Sequence, residues 1–431
     1  MLHLPAGPAP ASYIMIIGIA TLSIVLMLLR PRKIAEVYWV GSGALLLVLL
    51  RLIPLRLAGK AIAEGSDVYF FLIGMMLLSA LARDNGVFDW VASEAAQIAR
   101  GSCSRLFALV YAFGALVTIC MSNDATAVVL TPAVLAAVRR SRVEPAPFLF
   151  VCAMIANAAS FVLPISNPAN LVVFHAGMPP LGRWLAAFLL PSLCSIAVTF
   201  WVMRWFFRKD LCGSFEIPKD KAKLKVQGKI VLIGLALVVA VLLVISALHI
   251  DLGLPTCIAA LCVTAVVCAW NRANPLPLAK EISWATLGLV AALFILVAAV
   301  ESVGALHLAE DALHRVEALG PVLGASIAAL VVAIANNLVN NLPLGLIAGA
   351  TLNSAHTHGL FANAVLIGVD LGPNLSVTGS LATILWLLAL RKEELHISAW
   401  QFLKVGMIVM PAALLASIAG LLAMHAIFPG L

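Results

Sequence analysis

A chain of 431 residues with 63% apolar and 11% charged positions, and a mean hydropathy of +1.08, has too much apolar surface to hide from water, so most of its solvent is lipid. A soluble enzyme with a greasy core is excluded by repeated apolar runs of about 17–25 residues, the length of a membrane crossing. The formal net charge of +7 is spread thinly between those runs, which excludes a nucleic-acid surface.

The first stretch, MLHLPAGPAPASYIMI, lacks a basic leader and runs into an apolar segment, so it reads as a first span and not as a cleaved signal. Spans are expected at 11–29 and 38–54, separated by Arg30, Arg32 and Lys33, with a third at about 68–82. In residues 86–100, Phe88, Val91, Ala95 and Ile98 approximate one face, the pattern of a helix lying along the membrane surface; the alternative is a simple connector packed on the spans. Segment 104–138 is long for one crossing at about 1.5 Å per residue and is interrupted near its middle by Ser122–Asp124. Two arms meeting there make a re-entrant hairpin, which lipid tolerates only where the tip is buried in protein or lines a cavity. Segment 146–178 is a broken span, because Pro168 cannot donate a helical hydrogen bond and restricts Asn167. A span at 183–207 and a hydrophilic linker at 208–228, carrying Lys219, Lys221, Lys223 and Lys225, close the first half.

The second half repeats the order. Spans are expected at 229–248, 254–270 and 283–302, then a surface stretch at 303–318, a hairpin at 320–353, a broken span at 360–390 and a last span at 399–426. The predicted fold is an all-α polytopic membrane protein. Two inverted-topology repeats, 1–207 and 229–431, flank the linker, with about ten transmembrane helices, two re-entrant hairpins and broken helices at the centre. Five crossings per half force the inversion. With both termini outside a prokaryotic cell (inner) membrane, 22 of the 27 Lys and Arg residues fall on the cytoplasmic side, as the charge rule for short loops requires. Counting each hairpin as a full crossing would move the basic linker outside.

Ionisable groups within spans cost desolvation energy and mark function by default. Asp124 lies at the first hairpin tip, where low dielectric favours its neutral form and would let it exchange a proton; the alternative is a cap that only organises the second arm. Ser122, Asn123 and Thr126 stand beside it. At the matching tip Asn340 and Asn341 are followed by Leu342, so the acid is absent there. A second acid, Asp370, precedes Asn374, Ser376 and Thr378 in the second broken span, while Ser166, Asn167 and Asn170 would supply the facing wall. Together these groups suit a small polar solute or an ion; the alternative is that they satisfy backbone atoms at helix breaks.

The eight cysteines have no CxxC spacing, which gives neither a disulfide framework nor a zinc site. Cys120 and Cys152 approach the breaks and are the thiols a soft substrate would meet. No HExxH and no GxxxxGK[ST] is present, so the chain reads as a transporter without a resident metal, cofactor, enzymatic activity or nucleotide motor of its own.

SNDATAVVLTP (122–132), ANAASFVLPISNPANLVV (156–173), NNLPLGLIAGA (340–350) and IGVDLGPNLSVTGSLATILWL (367–387), with GVFDWVA (86–92), resemble the arsenite efflux permease family within the ion transporter superfamily. The resemblance spans almost the whole chain, and DLGPNLSVTGSLATILW is its most specific part. It implies extrusion of arsenite or antimonite, by exchange for protons or with a soluble arsenite-stimulated ATPase. It also implies a scaffold of outer spans around a transport part of hairpins and broken spans. A sodium/proton antiporter or another small-anion permease of the same superfamily is the competing expectation, and a channel-like subunit or membrane scaffold without transport a more distant one.

Overall fold

Lipid supplies no hydrogen-bond partners, so an apolar run must close its backbone bonds within itself. In the computed structural model, which describes residues 10–217, 221–272 and 274–428, the named elements are accordingly all helical. The expectations for the first nine residues and for Lys219 fall outside the described residues. The first half runs α1 (Pro10–Leu29), α2 (Glu36–Leu49), α3 (Leu55–Glu64), α4 (Ser66–Asp84), α5 (Val87–Ile98), α6 (Cys103–Cys120), a wide π-type turn (Ala125–Leu130), α7 (Thr131–Arg140), α8 (Ala146–Ala158), α9 (Pro168–Val173) and α10 (Leu181–Phe206). The second runs α11 (Val226–Ala247), α12 (Gly253–Asn271), α13 (Leu276–Lys280), α14 (Trp284–Ser302), α15 (His307–Glu317), α16 (Pro321–Val339), α17 (Asn341–Ser354), α18 (Leu360–Leu371), α19 (Leu381–Lys392) and α20 (Ala399–Ile427). Helix α3, absent from the sequence reading, is an amphipathic turn of chain between the second and third spans, and α13 is its counterpart.

The halves exchange partners as inverted repeats should. Helix α4 packs along α12, its counterpart α14 packs along α2, and the last spans α10 and α20 lie against each other. Two faces follow from contacts between loops. On the linker face, Arg83 pairs with Glu281 at 3.0 Å and Lys221 with Glu94 at 2.9 Å. On the opposite face, the amide of Gly253 donates to Asp67.

Length alone miscounts the crossings. Nine described helices are long and apolar enough to span, but these include the hairpin arms α6 and α16, while α2 and α8 are shorter. The feet of the hairpins decide the matter. The amide of Cys103 at the start of α6 donates to the Gly213 carbonyl in the linker at 3.3 Å, and α7 returns to pack on α5, so both arms stand on the linker face. The second hairpin stands on the opposite face under α15, where Glu317 accepts from Thr357 at 2.7 Å. The π-type turn at 125–130 precedes Pro132, which has no N–H to complete a regular helical bond, and wide turns of this kind collect at functional sites.

Candidate functional site

Both hairpin tips and both helix breaks meet at one cleft. Asn123 and Asp124 come from the first tip and Asn341 and Leu342 from the second. Asn167 and Pro168 stand at the start of α9, and Ser380 and Leu381 at the start of α19. Leu72 of α4 and Thr286 of α14 close it from the outer spans. The volume is about 10 Å³, room for about one water. Wider basins of about 680 and 450 Å³ open on the opposite face, around the ends of α9 and α17.

Helix N-termini surround the cleft, and their unpaired N–H groups carry partial positive charge. Three are capped by the side chains that break the spans. Ser122 accepts from the amide of Ala125 at 3.3 Å, Asn167 from Ala169 at 3.0 Å and Ser380 from Ala382 at 3.1 Å. Helix α17 has no side-chain cap; Pro343 has no N–H and the Leu344 amide bonds the Asn340 carbonyl, so the amides of Asn341 and Leu342 stay available. Its leading residue Asn340 has φ 79° and ψ 153°, a region almost confined to glycine, and such strain persists where surrounding structure enforces it, commonly at functional sites.

Asp124 does not cap. Half-buried in the cleft wall, its carboxylate meets no hydrogen bond or ion pair among the described residues, while Ser122 makes the capping bond. The side-chain oxygens of Asn123 and Asn341 are likewise buried without a partner, although these residues are only 1% and 4% exposed. An unpaired buried acceptor costs about 1–3 kcal/mol. Two such acceptors lie at matching positions of the two tips; Asn170 and Asn336, which do not line the cleft, also leave their side-chain oxygens unpaired. Among the described residues no Lys, Arg or His lines the cleft.

Asp370 stands behind this wall. Its two oxygens take Asn167 Nδ2 at 2.7 Å and the Ser160 hydroxyl at 2.8 Å, joining the two broken spans. The same hydroxyl lies 2.8 Å from the carbonyl of Asn157. One hydroxyl proton serves one acceptor at a time. Ser160 either donates to an ionised Asp370, or donates to the carbonyl and accepts from a protonated Asp370. The arrangement satisfies both protonation states.

The remaining predicted residues are held by backbone and by each other. Thr126 shares a 2.8 Å contact with Thr118 and reaches the Gly114 carbonyl. Ser166 donates to Ile119, and Asn170 to the carbonyls of Ser160, Leu163 and Pro164. Asn374 accepts from Asn157 and donates to Met154. Ser376 and Thr378 bond Asn337, and Asn340 donates to Thr378. None of these lines the cleft; they fix the shape of the breaks around it. Cys152 is fully buried and Cys120 half-buried, and neither reaches the cleft wall.

Ser380 belongs to the polar run after Asp370 that marks the second break, without a role of its own there; sequence reasoning missed Ser160, Asn157, Leu72 and Thr286. It also missed why α18 comes so close to α16. A Cβ at Gly368 would stand 2.6 Å from the Ala329 carbonyl, and one at Gly372 2.6 Å from that of Ala333. The GVDLG spacing of small residues, the usual signal of close helix packing in membranes, was available to find this contact. It brings Asn336 onto the Val369 carbonyl and Asn337 onto that of Gly372.

The chain is similar to an arsenical pump membrane protein of Escherichia coli, with 24% identity over 423 residues, covering 94% of this chain and 97% of that one. A putative arsenical pump membrane protein of Bacillus subtilis (strain 168) is also 24% identical, over 421 residues, with coverage of 90% and 94%. Among solved structures, the YdaH transporter of Alcanivorax borkumensis, described as having an unusual topology, superposes with a TM-score of 0.62 at 14% identity, over 97% of this chain and 99% of that one; at this identity the likeness is one of fold. The profile of the CitMHS citrate transporter family matches residues 14–372. With its repeated broken spans and hairpins, the chain is a membrane transporter, and it belongs to the CitMHS family.

Proposed function

We propose that the protein exports trivalent arsenite and antimonite from the cytoplasm by exchange for protons. The carrying observation is a cleft lined by Asn123, Asp124 and Asn341, whose amide oxygens and carboxylate have no partner, with no basic side chain among the described lining residues. A citrate ion brings carboxylates that call for cationic donors, Arg above all. Arsenous acid near neutral pH is uncharged and brings three O–H donors, which suit acceptors. Its own oxygens would take the uncapped amides of α17. The names of the E. coli and B. subtilis relatives agree with this choice over the family's citrate label.

The roles follow from position. Asn123, Asn341 and Asn167 contact the substrate. Asp124 exchanges a proton in competition with it, and Asp370 with Ser160 offers a second protonation site one residue behind the wall. Ser122, Thr126, Ser166, Asn170, Asn340, Asn374, Ser376 and Thr378 hold the tips and breaks in register. The repeats 1–207 and 229–431 each give outer spans to a scaffold and a hairpin with a broken span to the moving part. The 22-residue majority of basic side chains supports placing the linker face in the cytoplasm of a prokaryotic cell and the wide basins outside.

A cleft the size of one water must open for a three-hydroxyl solute, so binding includes separation of the tips from Leu72 and Thr286. The test is arsenite flux in proteoliposomes of the purified protein without any ATPase. A pH gradient should drive accumulation, and both Asp124→Asn and Asp370→Asn should abolish the drive. Full proton-driven uptake by both folded variants would overturn the coupling scheme. Amide and carboxylate oxygens are also ligands for hard cations, which favours a second reading as a sodium/proton antiporter. That reading requires sodium-dependent proton movement in the same vesicles without arsenite.

A further inference from the structure

At the linker end of α10 the structure presents a basic, aromatic groove unconnected with the central cleft. Trp201, Arg204, Trp205, Arg208 and Leu211 line it together with Ser104 at the start of α6, and its volume is about 360 Å³. Helix α10 has 26 residues, about 39 Å at 1.5 Å per residue, against about 30 Å of hydrocarbon. Its last turn therefore stands among lipid headgroups. There Trp201 and Trp205 are 64% and 56% exposed, far more than tryptophans used for packing, and tryptophan collects at this depth with its ring across the apolar boundary.

The two arginines are held but not neutralised. Arg204 donates to the Ser104 hydroxyl, and the Arg208 guanidinium lies 5.4 Å from the centre of the Trp205 ring. Among the described residues neither forms an ion pair. Lys209 adjoins them, and the one acid in this turn, Asp210, does not line the groove. Part of this charge complements the carbonyl end of α10. That role needs neither exposed indoles nor a groove.

We propose that this groove binds the headgroup of an anionic phospholipid, the phosphate between Arg204 and Arg208 and the glycerol region against Trp201 and Trp205. A free phosphate would gain nothing from the two apolar rings, whereas a lipid fills both parts of the groove. Basic pockets between spans at headgroup level recognise lipids in this way, with each basic residue contributing about fivefold in affinity.

The test uses the full-length protein in bilayers of phosphatidylcholine containing either brominated phosphatidylglycerol or brominated phosphatidylcholine at equal mole fraction. The Trp201/Trp205 signal is obtained by difference from Trp201→Phe/Trp205→Phe. The brominated anionic lipid is expected to quench that signal preferentially. Arg204→Gln/Arg208→Gln should weaken the preference by about thirtyfold in lipid titration, while Arg204→Lys/Arg208→Lys, which keeps the charge if the glutamine pair misfolds, retains most of it. Inorganic phosphate added to the wild type should not restore the fluorescence. Equal quenching by both lipids, a full preference in the glutamine pair, or displacement by inorganic phosphate would each overturn the proposal.

Discussion

Asn341→Leu separates a ligand-binding oxygen from a structural one. The Asn341 side-chain oxygen is buried without a partner, a cost of about 1–3 kcal/mol. Leucine fills a similar space with no polar atom and removes that cost, so the empty variant should melt no lower than wild type. Toward substrate the same oxygen can accept one O–H, worth about 0.5–1.5 kcal/mol net, or roughly two- to twelvefold in affinity. The assay pairs thermal melting of purified protein with arsenite uptake into proteoliposomes over a concentration series, read as a ratio of kcat/KM values. The expected result is an unchanged or raised Tm with a KM increased within that range. A lowered Tm with an unchanged KM would refute the reasoning, because the oxygen would then be holding the hairpin and not the substrate. Asn123→Leu should behave the same way at the facing tip. The double variant should depart from additivity, since both oxygens address one molecule.

Asp124→Asn should stop accumulation driven by a pH gradient yet retain arsenite exchange at equal pH, measured as counterflow of labelled substrate. Ser160→Ala leaves one Asp370 oxygen without its donor, a charge-assisted bond of about 1.5–3 kcal/mol, and should displace the pH profile of flux while sparing the KM at the optimum; an unmoved profile would remove Asp370 from the coupling scheme. Gly372→Leu should lower the yield of folded protein, seen by size-exclusion chromatography, because overpacking costs about 1–3 kcal/mol and the neighbour is backbone. At the second hairpin's foot, the hydroxyl of Ser354 first and His307 second hold Glu310 below the usual carboxylate range. A depressed folded value means that the contact helps above the ordinary pKa of about 4.3 and is lost as pH falls through the lower folded value. A spin label at exposed position 353 should become more mobile on acidification below about pH 4.3 in wild type and be already mobile in Glu310→Gln.

The breaks were legible because polar runs such as Ser122–Asp124 or Asn340–Asn341 stand out in charge-poor spans, and proline marks where a helix cannot continue. Their ranking was not. Asn170 and Asn123 look alike in sequence and both leave a side-chain oxygen unpaired, yet Asn170 spends its amide nitrogen on three carbonyls behind the wall while Asn123 lines the cleft; only the backbone path distinguishes them. Ser160 and Asn157 lie within a long apolar stretch, where single small polar residues usually bond their own helix. Leu72 and Thr286 belong to unbroken spans whose pattern carries no sign that they seal the cleft. The hairpin arms were recognised by their combined length and their tips, although α6 or α16 alone has the length of a crossing.

The one-water cleft between the wide basins and the linker face has, under the proposed proton exchange, a bioenergetic consequence. Protons cross membranes readily along unbroken files of water, and a cell that uses its proton gradient for many purposes cannot leave such a file open when there is nothing to export. Closed around Asn123, Asp124 and Asn341, the tips interrupt such a file at its middle. Under that exchange the cost of opening is met only when substrate or a proton occupies the tips, and the idle protein leaves the membrane tight.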